Sequence, residues 1–194
     1  MCIKVALYTY MHTQKIEYAD DDTEPVSYLA RIRIPSLAAG LLLGIVLTFM
    51  TSRFEQVLEH NIKIAFFIPF VVYMAAAVGM QTQEIYIRDL RSGRASFKKY
   101  LIKETLLGFI LGFVASLGSA LISYIWFRSA EITLAVSLAM FCAVLVAPLV
   151  ALLVTQLIKL EHLDPAVGSG PIATIIQDTF SILIYGLIAS AIIL

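Results

Sequence analysis

One carboxylate stands out in the last part of this chain. Asp178 interrupts an apolar run that continues to Leu194. It closes the stretch 164–178, which reads Asp-Pro-Ala-Val-Gly-Ser-Gly-Pro-Ile-Ala-Thr-Ile-Ile-Gln-Asp. A helix opened by Pro171 loses nothing, because a first-turn residue needs no N–H partner and proline already holds a helical φ. Asp178 then lies about 10 Å along the axis at ~1.5 Å per residue. That is about a third of the way across a ~30 Å hydrocarbon core. An acid at that depth costs ~2.5–3.5 kcal/mol on insertion scales, and by default it is a functional group with a partner to be found. Helical spacing puts Pro171, Thr174, Ser181 and Tyr185 on its face, and Ile176, Phe180, Leu183 and Leu187 opposite. The polar stripe is expected to face protein or water, and the aliphatic stripe lipid. The bland alternative is a structural hydrogen bond from Asp178 to Tyr124 or Ser123.

The elements that must hold this group are membrane helices. Of 194 residues, 60% are hydrophobic and only 14% charged, where a soluble domain has about 45–50% apolar and ~25% charged residues. The formal net charge is zero, which gives no general attraction to nucleic acid. Cys2 and Cys142 fit no metal or disulfide spacing. The first ten residues lack a basic region, a long apolar core and a cleavage site, so the first span is expected to serve as its own insertion signal. His12, His60 and His162 are scattered, and no Ser-His-Asp set or phosphate loop has usable spacing, so the chain is not expected to be an enzyme.

The pattern predicts an all-α integral membrane protein with five transmembrane helices. Residues 1–33 read as a cytoplasmic tail, acidic at Asp20, Asp21, Asp22 and Glu24, with a short interfacial helix over 28–33. Residues 34–194 read as the transmembrane domain. The spans are expected at about 34–51, 62–80, 104–127, 132–158 and from Pro171 onward. Gly40 and Gly44 allow close helix contact, as does the stripe Gly108, Gly112, Ser116, Ser119, Ser123. Residues 84–103, with Arg88, Arg91, Arg94, Lys98, Lys99 and Lys103, read as a cytoplasmic loop touching lipid headgroups. Counting basic residues places the N-terminus inside and the C-terminus outside, in a multi-pass protein of the plasma (inner) membrane.

The stretch around Asp178 resembles the signature in the last transmembrane helix of MgtE-type magnesium channels and the related eukaryotic cation carriers. Asp164, Pro165, Ala166, Ser169, Gly170, Pro171, Thr174 and Asp178 stand in register with it. Lys103-Glu104 followed by Gly108 and Gly112 resembles the third helix of that family. Gly79, Gln81 and Thr82 match its second-helix motif, whereas Ala75, Ala76 and Ala77 replace its Gly-Gly-Asn. The family asparagine supplies an amide near the ion path, and Ala77 cannot. The resemblance covers roughly residues 31–194 and leaves little room for the family's cytosolic sensor modules, so a minimal, transmembrane-only member is expected. It also implies a homodimer with the pore on its axis, lined by spans two and five.

The resemblance makes Mg²⁺ the expected transported ion, with Mn²⁺, Co²⁺ or Ca²⁺ as others. Mg²⁺ takes six oxygens and keeps several waters, so its sites use one or two carboxylates. Two copies of Asp178 facing one another across a twofold axis hold a hydrated ion between them, since like charges at close range are relieved by a cation. Asp178 is the expected principal ligand. Thr174 and carbonyls near Gly170 and Ser169 are further contacts, and Asp164 sits at the cytoplasmic mouth, where it also suits a helix cap. Gln81 and Gln83 read equally as pore-mouth ligands or interfacial residues. For Thr174, backbone hydrogen bonding one turn back is as good a reading. A channel, an ion-coupled carrier and a non-transporting membrane scaffold remain open.

Overall fold

The computed structural model describes residues 21–160 and 165–194, with residues 165–169 described by their backbone alone. The helices are α1 (Val26–Ser52), α2 (Glu55–His60), α3 (Ile68–Arg91), α4 (Phe97–Phe127), α5 (Ala130–Leu160) and α6 (Pro165–Ile193), and a 3₁₀ turn (Ile62–Phe67) leads into α3. Among the described residues, five helices are long and apolar enough to cross a membrane. They correspond to the five expected spans, and the protein is an all-α, multi-pass membrane protein.

The helices overrun the expected spans. The segment 28–33 is continuous with α1 rather than a separate interfacial helix. The expected basic loop 84–103 is helical to Arg91 and again from Phe97, leaving a turn of five residues with Gly93 at φ 71°. The charge pattern marks where apolar solvent ends, and a helix does not stop there unless its backbone bonds find a cap. Across that turn the Tyr100 hydroxyl donates to Asp89 Oδ2 at 2.6 Å. The last helix begins at Pro165, so Pro171 lies inside it.

α5 is the central post, packed on α3, α4 and α6. Its buried face is a ladder of small and branched residues, including Ala135, Ala139, Ala143, Ala147 and Ala151. α4 lies against it through the expected glycines. A Cβ on Gly112 would stand 2.9 Å from the Phe141 carbonyl oxygen, and one on Gly108 3.0 Å from that of Leu145. Van der Waals packing between apolar helices in lipid needs this close approach, because no hydrophobic drive separates helix from solvent there. α1 packs on α6, with Gly40 beside Pro171 and Gly44 beside Ile175. The outward faces of α1 and α4 remain apolar, with Leu41, Leu42, Phe109 and Phe113 exposed.

α2 and the 3₁₀ turn close one end of the bundle. Val57, Ile64 and Phe67 are buried there against Tyr185 and Ala189 of α6. The Tyr185 hydroxyl donates to the Ile64 carbonyl at 2.6 Å.

Candidate cation site on the last spanning helix

α6 is held between α1 on one side and α3 and α5 on the other. This arrangement splits the polar stripe expected around Asp178. Ser181 and Tyr185 are buried, while Thr174 is exposed and Asp178 is half-buried. The helical period fixes an angle about the axis, but different neighbours stand at different heights. The Tyr185 level is covered by the 3₁₀ turn, and the Thr174 level is open.

Among the described residues, no hydrogen bond or ion pair reaches the Asp178 carboxylate. The expected structural alternatives are occupied elsewhere or absent: Ser123 Oγ donates to the carbonyls of Ser119 and Ala120. Tyr124 points outward, half of its surface exposed. One turn before Asp178, Thr174 Oγ1 donates to the Gly170 carbonyl at 2.9 Å. That bond is the expected backbone interaction, and it uses the hydroxyl proton while leaving the oxygen's lone pairs outward.

Beside Ala173, Ser181 and Tyr185, the buried side chains of α6 include Gln177, 4% exposed. It lines a cleft of about 10 Å³ with Ala76, Gly79, Met80 and Gln83 of α3, Ala151 of α5, and Ala173 and Thr174 of α6. Thr174 therefore belongs both to this cleft and to the open face that carries Asp178. Gln83 is buried in the cleft, whereas Gln81 is exposed on another side of α3. Ala75 is fully buried, and Ala76 and Ala77 are half-buried, as close helix packing requires. Gly170 is half-buried with open space around it. Asp164 lies outside the described residues, as does the side chain of Ser169.

One polar side chain escaped the sequence reading: Gln177, adjacent to the more conspicuous Asp178. Glu104, expected at the start of the third span within its Lys-Glu pair, is buried and accepts a 2.8 Å hydrogen bond from Thr82.

The model of the MgtE family, described as divalent cation transporters, matches residues 68–188, from the start of α3 to near the end of α6. The chain belongs to the MgtE family. Among curated MgtE proteins, the magnesium transporter MgtE of Bacillus subtilis is 29% identical over 164 residues, covering 83% of this chain and 36% of that protein. The magnesium transporter MgtE of Enterococcus faecalis is 30% identical over 161 residues, covering 81% of this chain and 36% of that protein. The MgtE of Thermus thermophilus is 28% identical over 166 residues. The chain thus spans about a third of the length of the curated MgtE proteins it matches. The family carries out transport rather than catalysis, in keeping with the expectation that the chain is not an enzyme.

Proposed function

We propose that this protein carries Mg²⁺ across the membrane as a partly hydrated ion, through a passage on a homodimer axis lined by α3 and α6. The observation that carries the proposal is the Asp178 carboxylate: half-buried in a spanning helix, on an open face, without a partner among the described residues. A charge left alone at that depth costs ~2.5–3.5 kcal/mol. A cation shared with a second copy removes that cost, and a hydrated Mg²⁺ needs only one or two carboxylates. Membership of the MgtE family supports the ion class.

In this reading Asp178 is the principal ligand. The outward lone pairs of Thr174, and the carbonyls of Gly170 and Ser169, accept hydrogen bonds from the ion's waters. Asp164 gathers cations at the inner mouth. Gln81, exposed on α3, meets the ion path from the second lining helix. Mg²⁺ enters from outside and moves down the membrane potential in a plasma (inner) membrane, with the N-terminus inside and the C-terminus outside.

Uptake into proteoliposomes tests this directly. Voltage-driven Mg²⁺ flux without a counter-ion gradient is the expected result. Flux that collapses when a proton or Na⁺ gradient is removed replaces the channel by a coupled carrier. No flux at all leaves a membrane scaffold. Asp178→Asn is expected to abolish flux while the dimer persists in detergent, and unchanged flux refutes the site.

A further inference from the structure

Resting on the transport reading above, the geometry points to Gln177 as a specificity-determining residue that holds one water of the cation's hydration shell in the cleft beside Thr174. Three observations converge. The Gln177 side chain is buried, and its Oε1 has no hydrogen-bond partner among the described residues. Its Nε2 donates to Ser181 Oγ at 3.2 Å, and that hydroxyl gives its own proton to the Gln177 backbone carbonyl at 2.9 Å. Turning the amide over does not cure the orphan. Oε1 would then compete for a single hydroxyl proton already in use, and both Nε2 protons would be left over.

The second observation is the cleft itself. Its volume is about 10 Å³, close to the ~10–15 Å³ that one water needs. A bound water also needs about two to four polar partners, and Gln177, Gln83 and Thr174 all line the space. The third is the direction of the hydrogen bonds. Thr174 Oγ1 has given its proton to Gly170, so it and Gln177 Oε1 are both acceptors. A water donating to both turns its lone pairs outward, towards the face that carries Asp178 one turn on. That is the orientation of a water bound to a metal ion.

An oxygen that grips a water rather than the ion favours the ion that keeps its waters. Mg²⁺ dehydrates reluctantly, whereas Ca²⁺ accepts six to eight oxygens in flexible geometry and sheds water readily. Gln177 therefore supports Mg²⁺ passage more than Ca²⁺ passage.

The test is proteoliposome flux of Mg²⁺ and of Ca²⁺, each measured alone, for the full chain. Gln177→Met keeps the size and removes the acceptor. It is expected to lower the Mg²⁺-to-Ca²⁺ flux ratio by about tenfold, the factor one hydrogen bond supplies. Ala76→Val fills the cleft and leaves the carboxamide intact, and the same direction of change is expected. This second variant carries the test if Gln177→Met does not fold. A purely structural role for Gln177 would lower both fluxes together, and that result, or an unchanged ratio in a folded variant, overturns the inference while leaving an Asp178-dependent transporter standing. Absence of Mg²⁺ flux through the unmodified protein overturns the transport reading and this inference with it.

Discussion

Thr82 of α3 donates its hydroxyl proton to Glu104 of α4 across 2.8 Å, with both side chains buried. It is the one hydrogen bond to Glu104 among the described residues, and it ties together two helices that otherwise touch little, since each packs mainly on α5. Leaving a buried acceptor without its donor costs about 1–3 kcal/mol. Thr82→Val keeps the shape and strands the carboxylate, so a loss of that size is expected in thermal unfolding in detergent. Glu104→Gln retains an acceptor and should lose less. Equal melting temperatures for Thr82→Val and the unmodified protein would contradict the assignment.

The α4–α5 contact predicts a sharp contrast between glycines of one helix. A Cβ on Gly112 meets the Phe141 carbonyl at 2.9 Å, whereas one on Gly118 meets nothing within 4 Å. Backbone atoms cannot turn aside as a flexible side chain can. Gly112→Ala is therefore expected to destabilise by about 1–3 kcal/mol, as overpacking does. Gly118→Ala should be neutral or stabilising by up to ~1 kcal/mol from helix propensity. Paired melts of the two variants check this.

Tyr185 pins the 3₁₀ turn through its bond to the Ile64 carbonyl. Tyr185→Phe deletes one hydroxyl and its bond to the Ile64 carbonyl, at a cost of about 1 kcal/mol, the net worth of one hydrogen bond. The loss should show as faster hydrogen exchange in residues 55–67, with α4 and α5 unaffected. Uniform exchange changes across the bundle would argue against a local pin.

Thr174→Val removes the oxygen at the cleft mouth but breaks only an exposed bond to the Gly170 carbonyl. Stability should change little, while Mg²⁺ flux falls several-fold. If flux is retained, the hydroxyl serves the helix backbone alone.

Much of this was legible without coordinates. Sixty per cent apolar residues in five long runs admit few structures in lipid, because every backbone N–H must be met inside its own helix. The glycines at positions 108 and 112 foretold a close α4 contact, since only a residue without Cβ allows it. Asp178 was conspicuous for the opposite reason: nothing in an apolar run compensates its charge.

What the sequence alone determined is therefore one-dimensional: how many helices cross, which faces are smooth, and where a charge stands along an axis. Tertiary structure decided which neighbour stands at each height. It put Tyr185 under the 3₁₀ turn, left Thr174 and Asp178 on an open face, and turned Gln177 and Gln83 into a common cleft. Those pairings join residues about ninety to a hundred and twenty positions apart, and helical periodicity carries no information about them, because rotation about one axis says nothing of the partner that packs against it.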